Sequence, residues 1–508
     1  MTEGKEDHAV SIRERVKAPP APALVQSYYA PAVDAGIKYQ FEPEMLIHLA
    51  HVLMLDRQGI VQRQDVARIL RALLDLRGAG PAVLSIDYRQ EDLYSYVESH
   101  IVKQLGRETG GRMHTARSRN DLHTTSWRLA LRGRLLVLLQ ELNRARETVL
   151  RLAGEHAETI MPGYTHTQHA QPISLGYYLL TGADLLARDF ARVDNALGRC
   201  DACPLGAGAL TTTGFPIDRD YVSDLLGFRQ LLEIAYDAVS CRDDAHEAAA
   251  AAAVLMTGLS RLATDLQTWN TMEFGMVELA DEYASVSSIM PQKKNPQATE
   301  HVRGLAARVT GALATALACS KNTSLADVND GVSALNGPVL EAVDQSCGAL
   351  RIMNGVLQTI TVRPERMRHL AEIGFGSATE LADVIVRETG LSFRMAHNIV
   401  GTVVRETIEA GQTALAITAA DLDRASQTLF GRPLGIAPDV VRKSLDPMEN
   451  IRLRTTTGGP APGVMRDMIA RRTNGLAQDR DKVAAMQNRI ADATRRLLAA
   501  AEQLAAPA

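Results

Sequence analysis

The sequence predicts an all-α protein, because apolar residues recur at three- to four-residue spacing, aromatics make up only 4%, and long stretches run without proline. Trp127, Ala130, Leu131, Leu135, Leu138, Leu139 and Leu142 mark one face of a helix expected to run to about Ala157, before Pro162-Gly163 stops it. A second helix is expected from Pro172, a favourable first helical position, to near Gly198. Asp237 to about Phe274 holds no proline and only Gly258 as a breaker, which predicts one helix on the order of 50 Å long. Two more follow, from Pro296 through Cys319 and from Gly337 to Gln358. Helices of this length imply a bundle, and apolar faces too extensive for one chain to cover imply homo-oligomerisation.

At 508 residues the chain exceeds what one core usually organises. The expected organisation is a tail over 1–24, a helical unit over 25–116, the central bundle over 117–362 and a second helical unit over 363–508. The segment Met1 to Ala23 carries Glu3, Glu6, Asp7 and a Pro/Ala stretch but no apolar core, so it reads as a tail rather than a signal peptide. The Ala-rich stretch from Asp479 onward reads as a terminal helix, and no run reaches the ~20 apolar residues that span a bilayer. A net charge of -4 without a Lys/Arg run excludes the electrostatic footprint of a nucleic-acid binder. Cys200, Cys203, Cys241, Cys319 and Cys347 are too scattered for a disulfide framework, which fits a reducing, cytoplasmic setting. The lone Cys200-x-x-Cys203 reads as incidental thiols.

Three polar clusters interrupt this apolar pattern. In Ser287-Ser288-Ile289-Met290-Pro291-Gln292-Lys293-Lys294-Asn295-Pro296, hydroxyls, ammonium groups and an amide lie just before a helix N-terminus, where free N–H groups and the helix dipole attract an anion. By residue type alone, a capping loop with solvated lysines explains it as well. Pro162 to Pro172 places His166 and His169 in a loop between helices, with no acidic or thiol ligand nearby to make them a zinc site. Arg117-Ser118-Arg119-Asn120-Asp121 offers donors that suit a dicarboxylate, or a solvated turn between domains.

In this order, the three clusters resemble the signature segments of argininosuccinate lyase within the fumarase/aspartase superfamily. The first match extends over Gly111 to Asp121, and Pro204 to Leu210, Phe215 to Arg219 and Thr456 to Pro462 add support. The resemblance covers roughly Ser27 to Arg471. It implies a three-domain helical subunit, a homotetramer with a central bundle, and sites where the segments meet from three subunits. The implied reaction is elimination of an amine from an N-substituted aspartate to give fumarate, without metal or organic cofactor. Ser287 would take the proton beside the carboxylate, and His166, tuned by Glu300, would serve the departing nitrogen. Lys293 and Asn295 would hold the dianionic intermediate, while Ser118, Arg119, Asn120, Thr165 and Ser288 would grip the succinyl end.

The sequence also departs from that family. Val286 replaces the glycine before the serine pair, a β-branched residue expected to stiffen the loop. In the leaving-group pocket, His48 replaces a serine, Tyr94 a histidine, and Asp327, Val332 and Leu335 a tyrosine, a glutamine and a lysine that hold arginine. The expectation is therefore the same elimination with an amine other than arginine, as in relatives such as ethylenediamine-disuccinate lyase. The alternatives are a true argininosuccinate lyase with a compensated pocket and an idle scaffold of the delta-crystallin type.

Overall fold

The computed structural model describes residues 15–506 except Lys17, so most of the expected 1–24 tail lies outside the described residues. Five long helices form the centre: Arg119–Glu155, Leu175–Cys200, Asp243–Trp269, Gln297–Lys321 and Asn336–Thr359. The apolar face expected on the first of them is the buried one. Trp127, Leu131, Leu135, Leu138, Leu139 and Leu142 are all 0% exposed, and each such side chain contributes about 1.5–3 kcal/mol. Small residues let the third helix approach closely. Ala248, Ala249 and Ala252 are fully buried, and a Cβ on Gly258 would stand 2.5 Å from Leu185.

Two elements of the central region differ from the expectation. The stretch 237–274 is not one helix, because Ala235–Ser240 ends and Asp243–Trp269 begins beyond Cys241 and Arg242. The break turns the buried Arg242 guanidinium toward the Thr124 hydroxyl, at 3.3 Å, and places Asp243 and Asp244 in a first helical turn that favours acids. The segment before the second helix is not an irregular loop but an antiparallel ribbon, Ile160–Thr165 against Gln168–Ser174. Its branched and apolar residues Ile160, Met161 and Ile173 pack inward.

Among the described residues, the helix Gln297–Lys321 is long and apolar enough to cross a membrane by length and composition only, and Glu300, His301, Arg303 and Arg308 interrupt its apolar residues. Its inner residues Val302, Leu305 and Val309 join the bundle core, but Leu317 is 50% exposed and only 28% of the apolar window is buried.

Around the bundle, Phe41–Arg57, Arg63–Ala79 and Leu93–Leu105 build one core cluster, and Ala378–Thr389, Phe393–Glu409, Ala419–Phe430 and Pro438–Leu445 build another. The last helix, Pro462–Ala505, is longer than expected and links two cores. Met465, Met468, Leu476 and Val483 enter the bundle, whereas Leu497, Ala501 and Ala505 enter the N-terminal cluster.

Side-chain bonds fix which helix ends lie together. Trp127 Nε1 donates to Asp244 Oδ2 at 3.0 Å, and His246 Nε2 lies 2.9 Å from Ser320 Oγ. The starts of the first and third helices and the end of the fourth therefore share one end of the bundle. At the other end, the Tyr178 hydroxyl donates to Asp265 at 2.6 Å and Gln358 donates to Thr148 at 3.2 Å. A 37-residue helix separates the two ends by about 55 Å.

Candidate active site

The first bundle helix starts in a capping box. The Ser118 hydroxyl accepts from the helix backbone, and Asp121 accepts from the Ser118 amide at 3.1 Å. Asp121 also accepts from the amides of Gly206 and Gly208, both at 3.0 Å, which ties the 118–121 turn to the 204–210 loop. Both glycines have positive φ, and a Cβ would meet Arg219 at 2.7 Å or the Thr212 carbonyl at 2.6 Å, so neither tolerates a side chain. Arg219 holds that loop through the carbonyls of Leu205, Leu232 and Glu233. Asn120 is thereby presented half-buried, donating to the Ala209 carbonyl at 3.4 Å.

Beside this turn lies a cavity of about 570 Å³, which Arg119, Asn120, His123, Glu91, Asp92, Glu44, Tyr28, Asp327 and Val332 help to line. Arg119 reaches Glu91 at 2.8 Å and Asp92 at 3.1 Å, while His123 stands 3.3 Å from Asp92. Burial alone would raise the Asp92 carboxyl, but hydrogen bonds from His123 and Ser95 and the Arg119 charge hold it below the usual range. Burial would lower His123, and Asp92 with Glu44 reverses this and holds it raised. The carboxyl of Glu44, 1% exposed, is pushed up to about 8, chiefly by burial.

Of the five residues expected in a leaving-group pocket, Asp327 and Val332 line this cavity, and His48, Tyr94 and Leu335 do not. Leu335 is fully buried in the bundle core. His48 is fully buried beside Tyr94, whose hydroxyl is engaged 2.7 Å from His114 Nδ1.

At the opposite end, His166 and Thr167 form the two-residue tip of the ribbon between the partners Thr165 and Gln168. Both tip residues have positive φ, 50° and 60°, the conformation that a tight hairpin turn demands and that only glycine adopts without strain. Thr165 and His166 are exposed. The third cluster is also a ribbon: Ser285–Val286 pairs with Lys294–Asn295 and holds out the segment between them. Within it the Ser287 oxygen accepts from the amides of Ile289 and Met290, at 3.3 and 3.0 Å. Lys294 anchors the ribbon through Glu278 at 3.2 Å and Asp281 at 2.7 Å. Lys293 makes no such pair among the described residues, and with Ser288 and Val286 it faces outward. Asn295 donates to Ser285 Oγ at 3.4 Å.

One chain therefore brings Ser118, Arg119 and Asn120 to one end of the bundle, and Thr165, His166, Ser287, Ser288, Lys293, Asn295 and Glu300 to the other. The expected contact of Glu300 with His166 is not made within one chain, and both side chains are exposed. Sequence reasoning missed Tyr28, Glu44, Glu91, Asp92 and His123. The available signal for Glu44 was its place one helical turn before His48 in an otherwise apolar helix.

Comparison with known proteins fits this layout. The family described as Lyase matches residues 52–311, and the one described as Argininosuccinate lyase C-terminal matches residues 375–452. The argininosuccinate lyase of Methanosarcina barkeri is 40% identical over 93% of this chain and 94% of its own. That of Methanocaldococcus jannaschii is 40% identical over 83% and 86%. The crystal structure of EDDS lyase in complex with formate superposes with a TM-score of 0.88 at 33% identity, covering 97% of both chains. Class II fumarase from Schistosoma mansoni, at 15% identity and a TM-score of 0.68 over 84% of this chain and 92% of its own, shares the fold. The chain belongs to the argininosuccinate lyase-like branch of the fumarase/aspartase superfamily and is a carbon–nitrogen lyase.

Proposed function

We propose that the protein cleaves argininosuccinate into fumarate and arginine in a site completed by several copies of the chain. The observation that carries this reading is the near full-length identity to argininosuccinate lyases, with all three donor segments intact in sequence. The ends of one subunit are about 55 Å apart, so Asn120 meets Ser287 only if copies pack antiparallel. The apolar outer face of Gln297–Lys321 supplies a surface for that packing, and a homotetramer satisfies both requirements.

In this site Ser287 takes the proton from the carbon beside the carboxylate, and electrons move onto that carboxylate as a dianion. Lys293, Asn295 and the nearby helix start receive the charge. Collapse of the dianion expels the amine and forms the double bond of fumarate. His166, oriented by Glu300 of whichever subunit faces it, delivers a proton to the departing nitrogen. Ser118, Arg119, Asn120, Thr165 and Ser288 hold the succinyl carboxylates.

A second reading, elimination of a different cationic amine, is favoured by Asp327 and Val332 on the cavity wall. Incubation with argininosuccinate and measurement of fumarate tests the first reading, and fumarate with a panel of amines, read by mass spectrometry, tests both. Fumarate from argininosuccinate is expected. N-substituted aspartates from other amines, with no reaction of arginine, would replace the first reading with the second.

A further inference from the structure

The cavity beside Asn120 has buried polar atoms without partners on its wall, the Tyr39 hydroxyl among them. Glu44 Oε2 and Asn336 Oδ1 are buried there without a hydrogen-bond partner, while Arg119 is taken by Glu91 and Asp92 and His123 by Asp92. Buried carboxyl and amide oxygens left unsatisfied on a cavity wall fit a ligand that brings N–H groups to them. At about 570 Å³ the space suits a small organic molecule.

We propose that Glu44 is a specificity-determining residue of this cavity: its carboxyl receives the cationic far end of the leaving amine and gives up its proton to solvent as that charge arrives. The proposal rests on the reading that the leaving amine occupies this cavity. Glu44 lies in the first turn of Phe41–Arg57, and the charged groups acting on it come from the elements packed around it. Asp92, at the start of Leu93–Leu105, disfavours its ionisation, whereas His123 and Arg117 favour it; Arg119, Glu91 and Asp327 line the same space. With its carboxyl pushed up to about 8, Glu44 is neutral in the empty cavity near neutral pH. An ammonium or guanidinium group against Oε2 supplies the missing donor and reverses the protonation preference.

The test is calorimetric titration of the full-length protein with L-arginine and with ethylenediamine, in buffers of different ionisation enthalpy. Release of up to about one proton per amine is expected near pH 7 and close to none near pH 9, with affinity rising up to about tenfold per pH unit below pH 8. Glu44→Gln should lose the proton release and the pH dependence, and bind at least about tenfold more weakly. Glu44→Asp should recover part of both. Failure of both amines to bind, or wild-type affinity and proton release in Glu44→Gln, would overturn the assignment. Fumarate formation on the same preparations separates two failures. Turnover with amine binding but no proton release contradicts the role of Glu44 alone; no turnover with any N-substituted aspartate contradicts the functional reading and this assignment with it.

Discussion

The two ends of the bundle are built differently. At the end that starts Arg119–Glu155, the functional side chains sit on a wall fixed by buried bonds: Asp121 to Gly206 and Gly208, Trp127 to Asp244, and Arg219 to a row of carbonyls. At the opposite end, His166, Lys293 and Ser288 stand exposed on the tips of two short ribbons with few partners. On the proposed reading, the first is a finished pocket and the second is half a site. Preorganisation at the second end must come from whatever packs against it.

The largest effects should come from the unfinished end. Ser287→Ala and His166→Asn should each cost about 10²–10⁴-fold in turnover while circular dichroism and sedimentation stay unchanged, because a missing proton-transfer group acts on the barrier rather than on packing. More than a few per cent of residual activity would reassign the role. The two adjacent lysines sharpen the contrast. Lys293→Ala should lose about 10²–10³-fold in kcat. Lys294→Ala removes solvent-screened ion pairs with Glu278 and the 95% exposed Asp281, and should change kcat far less. Equal losses would show that both serve only to shape the ribbon.

At the finished end, two substitutions of buried groups should also show in stability. Asp244 is fully buried between Trp127 and Arg128, so Asp244→Asn leaves a buried guanidinium uncompensated and should cost about 3–5 kcal/mol in chemical denaturation. Glu44→Gln should do the opposite, and only above acid pH. A carboxyl raised to about 8 in the folded chain stays protonated while its unfolded counterpart ionises above about pH 4.5, so wild-type stability falls as pH rises through that window. The glutamine variant lacks this slope. It should match wild type near pH 4 and be more stable to denaturant near pH 8, by on the order of a few kcal/mol. Parallel profiles would mean that Glu44 ionises freely in the fold.

The helical architecture was legible because the first bundle helix carries a clear apolar face, Trp127 to Leu142, and the three clusters stood out because each is a short polar run between apolar helices. The ribbon at 160–174 was not legible. Its turn is His166-Thr167 rather than the Asn-Gly pair that announces a hairpin, and each strand carries a proline, Pro162 opposite Pro172, which argues against a strand in the sequence. The break at Arg242 carries neither glycine nor proline and follows from burying a guanidinium, a tertiary cause invisible in local pattern. Glu44 and His123 were missed because the cavity gathers them from helices far apart in sequence. His48, Tyr94 and Leu335, expected in a leaving-group pocket, are buried and do not line this cavity.

On the proposed reading, the finished end of one chain works with the unfinished end of another. Asn120→Ala and Ser287→Ala, each inactive alone, should complement when the two chains are mixed, unfolded and reassembled together. A site built from different chains can draw Asn120 from one parent and Ser287 from the other, so mixed assemblies should recover up to about a quarter of wild-type activity. Activity that stays at the level of the two parents, in assemblies shown by mass spectrometry to contain both chains, would contradict the account.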